Sequence, residues 1–297
     1  MFLKLLRDGG EPIVSVDLAN GRRRVVPHSA RAGGDPPVSL AVTGGYVAFY
    51  GGRRYANPVG VYAQNVERPA PPRLLGRTAY FLPSWTDGRV WFVSDASVRE
   101  VTVPAGRTTV RGGRPPCRGP TLAALDGALV CQARTQLRAF EPATGRVIAR
   151  LPGAFAAATW GRVVAWCGQA CRRMHVTDVR VGRTVAIEPG AGFAFEASYE
   201  GAFSPGGSLL AVPALESREP LAPRRRVAVI DLRARRARLI AGAALDGYGQ
   251  LAWSAAGRRL LFTAGPSRLM GWRPGADRAV RMPVDVRGTI MDLATSR

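Results

Sequence analysis

Short apolar runs alternate with polar turns along the whole of this chain. Leu40-Ala41-Val42 leads into Gly44-Gly45 and then into Tyr46-Val47-Ala48-Phe49. The same arrangement returns around Trp85-Thr86-Asp87-Gly88, Asp126-Gly127, Trp160-Gly161, Ser204-Pro205-Gly206-Gly207 and Ser254-Ala255-Ala256-Gly257. Each turn carries a glycine, the residue that supplies positive φ in a tight hairpin without steric cost. A second series of turns follows β-branched runs such as Ile13-Val14-Ser15-Val16-Asp17-Leu18 and Val227-Ala228-Val229-Ile230-Asp231-Leu232. Its members are Asn20-Gly21, Glu67-Arg68, Ala105-Gly106, Thr144-Gly145, Val181-Gly182, Ala234-Arg235 and Gly275-Ala276. None of these runs has the i, i+3, i+4 spacing of a helix, so they read as strands.

Two hairpins per unit make four strands, and the unit recurs at roughly the 40–45 residues of a propeller blade. The predicted fold is therefore all-β: a seven-bladed β-propeller, with six blades as the alternative, in one domain over 1–297. Seven turns of the second kind against six of the first predict a last blade built from both chain ends. Phe2 to Arg7 reads as its second strand, Ile13 to Leu18 as its third and Arg22 to Val26 as its fourth. The first strand comes from Thr289-Ile290-Met291-Asp292-Leu293. Runs rich in small residues, such as Leu122-Ala123-Ala124-Leu125 and Phe155-Ala156-Ala157-Ala158, suit crowded innermost strands, although alanine is common throughout. Trp85, Trp160 and Trp253 fall at matching positions before turns and are expected to pack between blades.

Phe203-Ser204-Pro205-Gly206-Gly207-Ser208-Leu209-Leu210-Ala211-Val212 resembles the repeat of WD-repeat-like and TolB-type bacterial propellers, with Gly206 in place of the usual Asp. Ala252 to Phe262 resembles a degenerate copy, and Asp17-Leu18-Ala19-Asn20-Gly21 echoes the Asp-Leu-x-Thr-Gly turn of such repeats. The Gly-His and Trp-Asp pairs of the strict WD signature are missing. The cysteine-bearing stretch before His175-Val176-Thr177-Asp178-Val179 resembles that of secreted or membrane-anchored propellers. The resemblance covers nearly the whole chain. It implies an architecture and a common role in binding proteins or ligands, whereas fold alone does not set function.

The charge changes this picture only in part. The formal net charge is +21, and Lys4 is the only lysine among 42 basic residues. Such an arginine excess matches codon bias as well as selection. It still attracts polyanions at low salt. No recognition helix or stacking aromatic run accompanies it, so specific nucleic-acid binding is not expected. No stretch reaches the roughly 18 apolar residues of a membrane span. Met1 to Asp8 is too short and too soon charged for an export signal.

Cys117, Cys131, Cys167 and Cys171 are the four cysteines. A hairpin over Cys167-Gly168-Gln169-Ala170-Cys171 brings two sulfurs within bridging reach, and Cys117 and Cys131 bracket the Asp126-Gly127 turn. Two disulfides are expected, which implies an oxidising compartment. Free thiols and a four-thiolate zinc site are the alternatives.

Catalytic motifs are scarce. The only histidines are His28, in a Pro-bounded loop, and His175, in a strand. No Gly-x-Ser-x-Gly turn is present, and no phosphate-cradling glycine loop opens a helix. Asp17, Asn65, Glu141, Asp178 and Asp231 recur at the ends of third strands. They read as turn caps, scattered around the ring. The expectation is a non-catalytic binding or scaffold propeller without cofactor or metal. It is expected to act as a monomer, outside the cytoplasm or on the outer side of a membrane, with a cytoplasmic location as the alternative. Its partner is a protein or an anionic ligand. The alternative function is a propeller enzyme of the lyase, cyclase or quinone-dependent oxidoreductase class. The longest connections on one face, Gly51 to Pro58 and Pro213 to Arg226, supply Arg53, Arg54, Tyr55, Glu216 and Arg218 as site candidates. Tyr199 and Tyr248, ahead of first strands, join them at the same mouth.

Overall fold

Every regular element described in the computed structural model is a β-strand. It describes the chain apart from residues 7–11, 27–28, 30–39, 44, 52–58, 69, 78–83, 87, 95–96, 104–106, 111, 113–114, 118–120, 217–223, 246–249 and 296–297. The described strands form seven antiparallel sheets in a propeller arrangement. Sheet 1 joins Phe2–Leu6, Ile13–Val16 and Arg23–Val25 to Thr289–Ala294. Sheet 2 runs through Leu40–Thr43, Tyr46–Gly51, Gly60–Asn65 and Arg73–Arg77. Sheet 3 contains Ser84–Thr86, Arg89–Ser94, Ser97–Thr102 and Arg107–Val110, and sheet 4 Thr121–Leu125, Ala128–Ala133, Gln136–Phe140 and Val147–Leu151. Sheet 5 is Phe155–Trp160, Val163–Cys167, Met174–Asp178 and Thr184–Ile187. Sheet 6 pairs Phe193–Phe195 and Ala202–Phe203 with one long strand, Leu209–Glu216, followed by Arg224–Asp231 and Arg236–Ala244. Sheet 7 is Leu251–Trp253, Leu260–Thr263, Leu269–Trp272 and Val280–Arg281.

Each sheet has two apolar faces and must cover both. Phe2 and Ile13 of sheet 1 pack with Val42 and Phe49 of sheet 2. Val61 then meets Phe92, Val98 meets Leu129, and Leu137 meets Trp166. Met174 packs with Ile230, Val229 with Trp272, and Leu261 with Leu3. The last contact joins sheet 7 back to sheet 1, so the succession of cores closes on itself. First strands of neighbouring sheets meet from sheet 3 round through sheets 4, 5, 6, 7 and 1 to sheet 2, which places them innermost.

The composite sheet forms as the turn mismatch predicts. Thr289–Ala294 lies antiparallel to Phe2–Leu6, with Leu3 opposite Leu293. Buried Asp292 fixes the join: its Oδ2 accepts the Leu40 N–H of sheet 2 at 2.6 Å, and its Oδ1 accepts that of Leu293 at 2.7 Å.

The hairpin glycines 45, 88, 127, 161, 207 and 257 all have positive φ. Gly207 also needs its missing side chain, because a Cβ there would lie 2.5 Å from the Trp160 ring of sheet 5. Trp160 donates its indole N–H to the Pro205 carbonyl at 3.1 Å, and Trp253 donates to Ala202 at 3.0 Å. Both tryptophans therefore tie neighbouring sheets, as their placement predicts. The side chain of Trp85 lies outside the description.

The turn-capping reading is also confirmed. Asp17 accepts the Ala19 N–H, Asn65 those of Glu67 and Arg68, Asp178 that of Arg180, and Asp231 those of Arg233 and Ala234. Glu141 differs. Its longer side chain accepts from Thr144 Oγ1 and from the Arg146 guanidinium instead.

Candidate functional site

In a meander of four strands, turns between first and second and between third and fourth strands emerge at one end. Turns between second and third strands, and the connections between sheets, emerge at the other. The described site candidates, Tyr199 and Glu216, belong to this second end, the connection end.

Both expected disulfides form there. Cys117, before sheet 4, bonds Cys131 of its second strand. Cys167 bonds Cys171 within the second-to-third turn of sheet 5. No described cysteine is free. The hairpin also stacks His175 on Trp166, with ring centroids 4.3 Å apart. Burial lowers the His175 pKa below its ordinary value, reinforced by Arg173 and opposed by Glu188. It is a packed ring in a strand, as the sequence suggests.

Sheet 6 departs from its neighbours. Its innermost strand is broken in two, and both pieces pair with Leu209–Glu216: Phe195 lies opposite Ala214 and Ala202 opposite Ala211. Residues 196–201 bridge the gap. The Glu196 N–H still reaches the Pro213 carbonyl at 3.0 Å, while the Gly201 N–H turns to Ala157 of sheet 5 at 2.9 Å. This excursion carries Glu196, Ser198, Tyr199 and Glu200.

Tyr199 leans across sheet 5. Its ring packs on Phe155 at 5.3 Å, and its hydroxyl donates to Gln132 Oε1 of sheet 4 at 3.1 Å. Gln132 is held in turn by donating to the Ala154 carbonyl at 3.0 Å. Tyr199 remains 45% exposed, so its phenol is both positioned and reachable. Burial raises its pKa, opposed by the bond to Gln132, and the phenol keeps its proton.

Glu196 and Glu200 share Arg225, which donates to Glu196 at 2.8 Å and to Glu200 at 3.1 Å. Burial pushes the Glu200 carboxyl above its ordinary value, and the nearby Glu196 charge adds to this. Arg225 and the Ser198 contact pull the other way without cancelling it. Burial opposes the charge on Arg225, but the two carboxylates outweigh it and keep the guanidinium ionised.

Of the sequence-derived candidates, Tyr199 belongs to this group. Glu216 does not: it is 8% exposed and accepts from Arg226 at 2.8 Å. Arg53, Arg54, Tyr55, Arg218 and Tyr248 lie outside the described residues. Glu196, Glu200, Arg225 and Gln132 were not legible as a site. The available signal was the length of the 209–216 run, which demands a longer partner than Gly201-Ala202-Phe203. Among the described residues no group of three or more His, Cys, Asp or Glu could hold a metal ion.

No protein-family profile and no curated protein sequence matches the chain. Solved structures do. An oligogalacturonate lyase in complex with manganese is 15% identical, with a TM-score of 0.60 over 95% of this chain and 85% of that one. An oligogalacturonate lyase from Vibrio parahaemolyticus is 11% identical, with a TM-score of 0.59 over 95% of this chain and 83% of that one. TolB from Acinetobacter baumannii is 11% identical, with a TM-score of 0.57. The chain covers 63% of that protein's length, and 97% of its own length is matched. At these identities the likeness defines the class by fold alone: a β-propeller, TolB-like in architecture. The WD-repeat part of the resemblance has no counterpart among these matches.

The expectation of a non-catalytic scaffold is corrected by the same comparison. Two of these neighbours, each matched over nearly the whole chain, are lyases. The scaffold expectation rested on the common role of the propellers it resembles and on the lack of a familiar catalytic motif.

Proposed function

We propose that the chain is a propeller enzyme of the lyase class, acting on an acidic oligosaccharide at the connection end. The observation that carries this is the broken innermost strand of sheet 6. It sets a carboxyl of raised pKa, Glu200, next in sequence to a reachable, still protonated phenol, Tyr199. Enzymes shift pKa values in this way to prepare an acid and a base.

Elimination from a sugar acid needs two proton transfers. Glu200, ionised, takes the proton from the carbon next to the substrate carboxylate. The C–H electron pair becomes a C=C bond, and the C–O bond on the adjacent carbon breaks. Tyr199 gives its phenolic proton to the leaving oxygen. Arg225 is a positioning residue that holds Glu196 and Glu200 in place. Gln132 orients the phenol. The exposed Arg134, two residues beyond Gln132, supplies a cation for the substrate carboxylate. The net charge of +21 favours an anionic substrate. No step is assigned to a metal, since the described residues do not form a donor set for one.

The two disulfides and the TolB-like architecture support a location outside the cytoplasm. No described helix is long and apolar enough to cross a membrane. Each sheet is read as one blade, which makes seven. A count of six would leave one of the seven inter-sheet cores unassigned.

The test is incubation with oligogalacturonate, followed by ultraviolet absorbance of the unsaturated product. Absorbance that rises for wild type and is lost in Tyr199→Phe and Glu200→Gln is the expected result. New reducing ends without absorbance would indicate hydrolysis and overturn the lyase assignment.

A further inference from the structure

The opposite, turn end of the ring carries a second feature. Equivalent turns of successive sheets lie on one face, and across sheets 5, 6 and 7 that face is basic. Arg183, Arg233, Arg235, Arg236, Arg258 and Arg273 are all exposed. None of them makes an ion pair with a described residue. The carboxylates beside them are engaged elsewhere. Asp231 accepts two N–H groups of its own turn, and Asp178 accepts Arg180 N–H and pairs with Arg162 at 3.4 Å. Asp277 offsets part of the charge near Arg273 but leaves a clear surplus.

Apolar groups stand among these arginines. Val181, in the third-to-fourth turn of sheet 5, is 66% exposed. Trp160 closes the first strand of the same sheet and is 37% exposed. Its Nε1 bonds Pro205, so the indole is fixed at the rim while part of its ring faces solvent. Arginine with tryptophan and an aliphatic tip is the combination that suits a headgroup region, where charge meets phosphate and apolar groups enter the acyl boundary.

We propose that this turn end docks flat on a membrane surface rich in anionic phospholipid. The face suits a plane, because its contacts are spread over several sheets rather than aligned in a groove. Val181 and Trp160 favour lipid over a soluble polyanion, which has nothing to offer an aliphatic tip. The proposal is independent of the lyase reading, since the two concern opposite ends of the ring.

Co-sedimentation with vesicles tests it, comparing phosphatidylcholine alone with a roughly 2:1 mixture of phosphatidylcholine and phosphatidylglycerol. Wild type should sediment with the mixed vesicles and stay in solution with the neutral ones, with binding that weakens as salt rises. A triple variant, Arg233→Gln, Arg235→Gln and Arg236→Gln, should bind about a hundredfold more weakly, taking each basic residue at the surface as worth on the order of 1 kcal/mol. Val181→Ser should weaken binding with the net charge unchanged. Circular dichroism melts unchanged from wild type would establish that both variants are folded. Equal sedimentation with neutral vesicles, or a triple variant that binds like wild type, would overturn the proposal. Tight binding to soluble heparin, with vesicle binding indifferent to Val181→Ser, would overturn it in favour of a soluble polyanion.

Discussion

The two ends of this ring are built under different constraints. At the turn end the same solution repeats: a glycine at positive φ in the first hairpin, and a third-strand side chain engaging the second turn, most often Asp or Asn. Short turns leave little room for variation, so what differs from sheet to sheet is the exposed side chain. At the connection end the described parts of sheets 4, 5 and 6 each differ. Sheets 4 and 5 carry the disulfides, and sheet 6 breaks its innermost strand. Repetition thus confines one end to surface chemistry. The freedom of the other brings side chains of sheets 4, 5 and 6 together around Tyr199.

The largest expected effect comes from attacking the closure on which both ends depend. Deleting residues 288–297 removes the strand paired with Phe2–Leu6 and leaves Leu40 without the Asp292 carboxylate. The variant should fail to fold or melt more than about 10 °C lower. A melting curve matching that of wild type would show that the composite sheet is dispensable.

Tyr199→Phe separates catalysis from structure. It removes the hydroxyl but keeps the ring on Phe155. Turnover should fall about 10²-fold or more, the usual size of a lost proton transfer, with the melting temperature held. The pH profile sharpens this further. Glu200 must be ionised to act as base, so activity should rise with pH as its proton leaves. Burial places that limb above the ordinary carboxylate range. In Glu200→Gln the limb should vanish together with the activity. An unchanged profile would remove Glu200 from the reaction.

The disulfides give a smaller effect, confined to the connection end. Their sequence separations are 14 and 4 residues. In the chain-entropy account the longer loop contributes about 3 kcal/mol and the shorter about 2 kcal/mol. Paired Cys→Ser variants in urea unfolding should rank in that order. At the turn end, Gly207→Ala forces an L-residue into positive φ against Trp160, costing about 1–3 kcal/mol. A neutral outcome there would mean that the Trp160 contact yields easily.

Much of this architecture was legible because its signals are local. A glycine in a hairpin, an Asp that caps its own turn and a β-branched run all act over a few residues. The closing strand was legible by counting turns. The site was not, for a physical reason. Tyr199 and Gln132 are 67 residues apart and meet only when sheets 4, 5 and 6 are stacked. Phe193-Ala194-Phe195 is too short for its alternation to announce a strand, so the interruption after it was invisible. Tyr199 is legible by its position before a first strand, and the carboxylates that accompany it carry no such marker.

The central claim is that the ends have separate tasks, and one paired measurement tests it most directly. Wild type, Glu200→Gln and the Arg233, Arg235 and Arg236 triple variant are each assayed for oligogalacturonate cleavage and for sedimentation with anionic vesicles. The account predicts that Glu200→Gln loses cleavage and keeps vesicle binding, while the triple variant does the reverse. Loss of both properties in either folded variant would contradict it.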